Sequence, residues 1–295
     1  MKSLKRSLNN KLMAAVFIVP SLFIFINVVL VPFVMGLIYS FTDWNGFKFA
    51  GSHFVGFTNY AQIFSDTKFM TAFGLTFKYA FFMIVFVNVI GLSLALLVTS
   101  KIKTKNFLRS VYFLPNLIGG LILGFIWKFV FTKFFVQVGD MVGSDSIFFD
   151  WLDHPTAAFW ALVIVGTWQM AGYVMIIYIA AIQSISDEVL EAADIDGAGK
   201  WYRFRKIVFP LIMPAFTISL FLTLSGSFKQ YDTNISLTGG GPYGSTELIT
   251  MNIFNTAFNL NQYPLAQAKA IVFFLVILIV TVTQVVISKK REVEQ

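Results

Sequence analysis

The sequence contains no cysteine, which excludes disulfides and thiolate chemistry. It holds only two histidines, His53 and His154, far apart in the chain and each without a metal-type partner nearby in sequence. Charge is scarce: Asp, Glu, Lys and Arg make up 13% of the residues, against about 25% in an ordinary soluble domain. There is no Walker A stretch, no His-x-x-His and no Ser/His/Asp set. The "GGGP" at 239–242 is not followed by Gly-Lys-Ser/Thr, so it is no phosphate loop. Low-complexity tails and solenoid-length repeats are also lacking. These absences exclude a chain that hydrolyses ATP or attacks a substrate by itself. No metal and no cofactor is expected on it.

What fills the chain is apolar. Of 295 residues, 57% are hydrophobic, 35 are Phe, and the mean hydropathy is +0.75. The expected class is an all-α polytopic membrane protein. A spanning helix needs about 20 apolar residues, because a rise of about 1.5 Å per residue must cross about 30 Å. Six stretches qualify: 12–41, 70–99, 110–131, 157–183, 209–228 and 267–288. Together they define one six-helix transmembrane domain, 12–288, with tails at 1–11 and 289–295. The start, "MKSLKRSLNNK", looks like the basic end of a signal peptide. The apolar run after it is too long for one, and no small-x-small site ends it. An uncleaved first span is expected.

Basic residues orient these spans. With the N-terminus inside, the inner segments hold Lys2, Lys5, Arg6 and Lys11; Lys101, Lys103, Lys105 and Arg109; Lys200, Arg203, Arg205 and Lys206; and Lys289, Lys290 and Arg291. That is 15 of the 22 Lys and Arg, which predicts both termini on the cytoplasmic side. The same placement accounts for the net charge of +7 without nucleic acid as a partner. The outer loops are then 42–69, 132–156 and 229–266. All 15 carboxylates fall outside the expected spans. An ion-coupled carrier keeps such a group in the membrane as its relay, so this distribution argues against a stand-alone secondary carrier or channel, the alternative from another class.

One inner loop, 184–208, is dense in charge. "SISD" (Ser184 to Asp187) fits a capping box, predicting a helix from Ser186 or Asp187. Acids fill its first turns, and Gly197 permits a turn. A second short helix then carries Trp201, Phe204, Ile207 and Phe209 among Lys200, Arg203, Arg205 and Lys206. The basic half suits anionic headgroups of the membrane lipid. The acidic half does not, and needs another partner or is a solvated connection.

The spacing of this loop resembles a known family. Glu191, Ala192, Ala193, Asp196, Gly197, Ala198, Phe204, Ile207, Pro210, Leu211 and Pro214 follow the EAA loop of the membrane subunits of bacterial ABC importers. The stretches 113–131, "LTGGGPYGSTELI" (237–249) and "NTAFNLNQYPLAQAKAIVFF" (255–274) are similar to the carbohydrate-uptake permeases, on the side of the larger maltose permease but without its extra N-terminal spans and external domain. Glycerol-phosphate-type importer permeases are near relatives of that group. The resemblance implies the fold of a type I importer permease in a bacterial cell membrane. It implies a second homologous permease subunit, two ATP-binding subunits that carry ATP and Mg, an extracytoplasmic sugar-binding protein and a sugar, oligosaccharide in class, as substrate. Glu191, Ala192, Ala193, Asp196, Gly197 and Ala198 would then couple to the ATPase. Glu191 would be the charged anchor, and the three Ala would keep the docking surface small.

Sugars are held by aromatic faces and a few hydrogen-bonding groups. "GTWQMAGY" (166–173) offers Thr167, Gln169 and Tyr173 before the loop. "TLSGSFKQYD" (223–232) offers Thr223, Ser227, Gln230 and Tyr231 after it. The resemblance places substrate contacts of the maltose permease on these two helices. The competing role for the same residues is bonding between helices. Asn88 and Asn116 are weaker candidates.

Overall fold

A computed structural model describes residues 13, 16–47, 52–100, 102–143 and 147–290. The described residues are helical apart from turns and one isolated bridge between Thr42 and Phe54. In chain order the helices are α1 (Val16–Tyr39), α2 (Thr58–Ser65), α3 (Thr67–Thr99), α4 (Lys105–Leu117), α5 (Gly120–Val142), α6 (Pro155–Gln183), α7 (Asp187–Ile195), α8 (Lys200–Leu211), α9 (Met213–Phe228), α10 (Asp232–Leu237), α11 (Ile249–Phe254) and α12 (Tyr263–Lys289). Five of them are long and apolar enough to cross a membrane: α1, α3, α5, α6 and α12. The bent pair α8–α9 makes a sixth if it counts as one span.

The chain forms two compact units. The larger comprises Thr67–Asn252 and the chain after Phe273. Its centre is α6, which is apolar all round and buried over 61% of its most hydrophobic stretch, as a helix surrounded by other helices must be. Tyr79, Met83 and Val87 of α3 join Leu162, Val165, Val174, Met175 and Tyr178 of α6 in one core, with Ile212 at the α8–α9 elbow. Gly172 lets α4 cross close to α6. A Cβ there would collide with the Tyr112 carbonyl oxygen. The smaller unit comprises the chain up to Asp66 together with Ile253–Phe273. There Asn59 Nδ2 donates to the carbonyls of Ser40 (2.8 Å) and Thr42 (3.0 Å), and Tyr60 meets Ser40 hydroxyl to hydroxyl at 2.7 Å, so α2 is tied to the end of α1 by buried polar groups.

Two helix limits differ from the sequence expectation for physical reasons. The stretch expected as one helix over 110–131 is two. Pro115 supplies no N–H near the end of α4, Ile118 is extended, and α5 restarts at Gly120 and runs on to Val142, so that Asp140 lies in a helix rather than a loop. The helix expected from 209 instead continues from Lys200 through 211 and then bends by 68°. Pro214 has no N–H for the Pro210 carbonyl four residues earlier, which breaks the ladder at Ile212. The remaining part, α9, is 16 residues, or about 24 Å at the usual helical rise.

Candidate functional site

The charged loop folds as a helix, a turn and a helix. α7 begins at Asp187 with Ser186 as its N-cap, but no side chain caps it. The expected capping box does not form. Ser184 Oγ turns back and donates to the Ala181 carbonyl at 2.7 Å, closing the end of α6 instead. Asp187 and Glu188 still occupy the first turn, where the helix dipole favours negative charge.

The other end of α7 is closed by its backbone. The Ala198 N–H donates to the Ala193 carbonyl at 2.9 Å, and the Gly197 N–H to the Asp194 carbonyl at 3.2 Å. This 6→1 and 5→2 pair is a Schellman cap. It needs a left-handed residue between, and Gly197 has φ +75°. Open space surrounds the position where its Cβ would stand, so the need for glycine is conformational rather than steric. Arg203 of α8 then donates to the Asp194 carboxylate across the turn. One of the acids that called for an outside partner therefore has an inside one.

The coupling candidates separate by exposure. Glu191, Ala192, Asp196 and Gly197 are exposed, and Ala198 is half-buried. Ala193 is buried, and it works as a packing and capping position rather than as surface. Glu191 has no hydrogen-bond or ion-pair partner among the described residues. Around it the loop exposes Ile195 (86%), Trp201 (71%) and Tyr202, an unusual apolar display beside so much charge.

The polar residues of α6 and α9 do not form one cluster. Thr167 is buried, and its hydroxyl lies 3.7 Å from Met83 Sδ of α3. Gln169 Nε2 donates to the Ile118 carbonyl at 3.1 Å, satisfying the backbone freed at the α4–α5 break. Tyr173 shares the Gln169 face at i+4 spacing and is partly exposed. On α9, Thr223 and Ser227 share a face and are buried, with Ser227 Oγ on the Thr223 carbonyl at 2.7 Å. The Thr223 hydroxyl itself is buried and without a partner among the described residues. Gln230 and Tyr231 follow α9 and are half-buried. Burial, and then the neighbouring Asp232 carboxylate, push the Tyr231 phenol above its ordinary range, so it stays a neutral donor. No hydrogen bond joins the α6 candidates to the α9 candidates among the described residues. Asn116 is half-buried beside the α4–α5 break.

Asn88 belongs elsewhere. Its Oδ1 accepts from the Tyr178 hydroxyl at 2.8 Å and from Ser219 Oγ, while its Nδ2 donates to the Ile84 carbonyl at 2.7 Å. Three helices, α3, α6 and α9, meet in this buried network. Sequence reasoning missed Tyr178 and Ser219, because the contacts join residues 90 and 131 positions apart. An apolar groove of this unit, about 420 Å³, is lined by Phe86, Ile90, Leu94, Tyr112, Trp168 and their neighbours. Of the path candidates only Thr167 reaches it, and its walls lack the polar groups that a sugar needs.

The described helices, with a capped charged loop exposed between the late ones, match the fold of an ABC importer permease. The chain of a bacterial ABC transporter that imports the acidic polysaccharide alginate superposes on it with a TM-score of 0.84, covering 98% of this chain and 99% of that one at 21% identity. This protein belongs to the family of binding-protein-dependent transport system inner membrane components, which matches residues 87–293. It is 51% identical to the probable starch degradation products transport system permease protein AmyD of Thermoanaerobacterium thermosulfurigenes, over 94% of each chain. It is 34% identical to the multiple sugar-binding transport system permease protein MsmF of Streptococcus mutans, over 98% of this chain and 99% of that one.

Proposed function

We propose that this chain is the permease subunit of a sugar importer, with neutral oligosaccharides as the substrate class, in a bacterial cell membrane. The observation that carries the reading is the end-to-end similarity to a permease named for starch degradation products. The basic residues argue for cytoplasmic termini. A second homologous permease completes the translocation path, and an extracytoplasmic binding protein delivers the sugar. Two ATP-binding subunits hold ATP and Mg and do the hydrolysis.

The charged loop is the joint between this chain and an ATPase. Exposed Glu191 is its charged anchor, with Ala192, Asp196 and Ala198 around it, and Ile195 and Trp201 supply apolar contact. A rigid, internally capped loop transmits motion better than a solvated one, and α8 continues from it directly into the α9 elbow. Closure of the ATPases on ATP thereby biases a rigid-body switch of the permease pair. Tyr173, Thr223, Ser227, Gln230 and Tyr231 contribute to the sugar path. Thr167 and Gln169 shape it through their contacts to Met83 and Ile118.

The test is reconstitution with the candidate permease, ATPase and binding protein. Uptake of labelled maltotetraose should require all of them and ATP. Uptake by this chain alone, without ATP, would overturn the reading.

A further inference from the structure

The loop 237–247 builds a pocket against the start of α3. Its frame is Asn234, whose Nδ2 donates to the Thr246 carbonyl at 2.7 Å and to Thr238 Oγ1 at 3.1 Å, while its Oδ1 accepts the Leu248 N–H at 3.2 Å. Thr246 Oγ1 donates to the Gly241 carbonyl at 2.7 Å and lies 2.8 Å from Thr238 Oγ1. The Ile249 N–H donates to Thr76 Oγ1 at 2.8 Å, which moors the loop to α3. On this braced frame Tyr243 is 99% exposed at φ +55°. A bulky residue in the left-handed region persists only where the surroundings impose it, and such outliers collect at binding sites.

Beside Tyr243 lies a pocket of about 310 Å³, lined also by Thr67, Lys68, Thr71, Gly244 and Glu247. Glu247 is held in place by Asn252 Nδ2 at 3.3 Å. The volume is near the lower limit of ligand sites, about 300 Å³, enough for the end of a chain and not for a long segment. Its chemistry is selective. An aromatic face can cover the apolar face of a sugar ring. One cationic and one anionic side chain give strong hydrogen bonds to hydroxyls. Their opposite signs favour a neutral ligand over a sugar acid or phosphate.

We propose that Tyr243, Lys68 and Glu247 form a saccharide-binding site at the rim of α3, which holds the end of a neutral oligosaccharide before it enters the path. The proposal rests on the importer reading for its substrate class and for the outward orientation of this end of α3.

The experiment uses the whole transporter in nanodiscs without binding protein, with maltotetraose as probe and glucose 6-phosphate as charged comparison, read by saturation-transfer NMR. Maltotetraose should bind in preference to the phosphate. Tyr243→Asn keeps a residue tolerant of positive φ but loses the ring, and Lys68→Met and Glu247→Gln remove the charges. Each should weaken maltotetraose binding about tenfold, the size of one charge-assisted bond or one aromatic contact. Tyr243→Trp should retain it, and binding-protein docking should be unchanged in all four. No maltotetraose binding by a complex that still imports sugar with ATP would overturn the site and leave the importer reading standing. Binding insensitive to these variants would also overturn it. So would a Tyr243→Asn variant that loses binding-protein docking and keeps saccharide, because Tyr243 would then be a protein contact. Loss of ATP-dependent import by the wild-type complex would count against the importer reading instead.

Discussion

Lys269 Nζ lies 2.7 Å from Asp66 Oδ2 and donates to Thr256 Oγ1 at 2.8 Å, with only 2% of the lysine side chain exposed. The pair joins the residue just before α3 to the second turn of α12, both within the smaller unit. Burying one such charge is costly, and the cost is recovered only while the partner is present. Asp66→Asn should therefore destabilise the protein by about 3 kcal/mol, while Asp66→Asn with Lys269→Met should recover most of the loss. Thermal unfolding in detergent checks this order. Equal stability of the single and double variants would rule out an energetically important pair.

Gly197 is the second test. At φ +75° a β-branched residue costs about 1–2 kcal/mol more than glycine, and asparagine costs less. Gly197→Val should release the cap on α7 and uncouple ATP hydrolysis from uptake, whereas Gly197→Asn should keep most coupling. Glu191→Ala should reduce uptake without changing stability, since Glu191 has no hydrogen-bond or ion-pair partner among the described residues. Uptake rate per ATP hydrolysed is the measurement, and wild-type ratios in both Gly197→Val and Glu191→Ala would remove the loop from the coupling role.

The Asn88 network predicts a graded response. Tyr178→Phe leaves Asn88 still bonded to Ser219, at a cost of about 1 kcal/mol. Asn88→Ala removes the shared acceptor and leaves a cavity among three helices, at a cost of about 2–3 kcal/mol. The double variant should lose less than the sum, because the two residues share one bond. A strictly additive result would show that the bonds are not made.

The Asp43 carboxylate tests a surface contact. It accepts the His53 backbone N–H at 2.6 Å, which holds it below the usual carboxylate range, with a smaller contribution from the His53 ring. A lowered value in the folded state means that the contact contributes fully above the unfolded pKa of about 3.9 and is lost as pH falls through the folded value. Protection of the His53 amide from hydrogen exchange, corrected for intrinsic rate, should be flat from about pH 7 to 5 and fall only below about pH 4. Loss of protection already near pH 6 would contradict the bond.

Much of this protein was legible in one dimension. Apolar runs long enough to cross lipid announce an all-α membrane protein, because backbone groups in hydrocarbon must be satisfied within their own helix. The charged loop was legible as well, since its turn depends on a local rule, a glycine where the chain must go left-handed. Local chemistry also accounts for the two departures in helix limits, at Pro115 and Pro214, where a missing N–H outweighed hydrophobicity.

The tertiary structure decided what each polar side chain is for. Asn88, Gln169 and Thr167 looked alike in sequence as polar groups in apolar helices. Their partners, Tyr178, Ile118 and Met83, are brought to them only by the crossing of helices, so no spacing rule could separate a path residue from a bond between helices. Arg203 likewise satisfies Asp194 only because the Schellman turn folds α8 back on α7, and Lys269 finds Asp66 across 203 residues of chain. Periodicity determines which segments become helices. The pairing of buried polar groups depends on which helices touch, and that is a property of the packed structure alone.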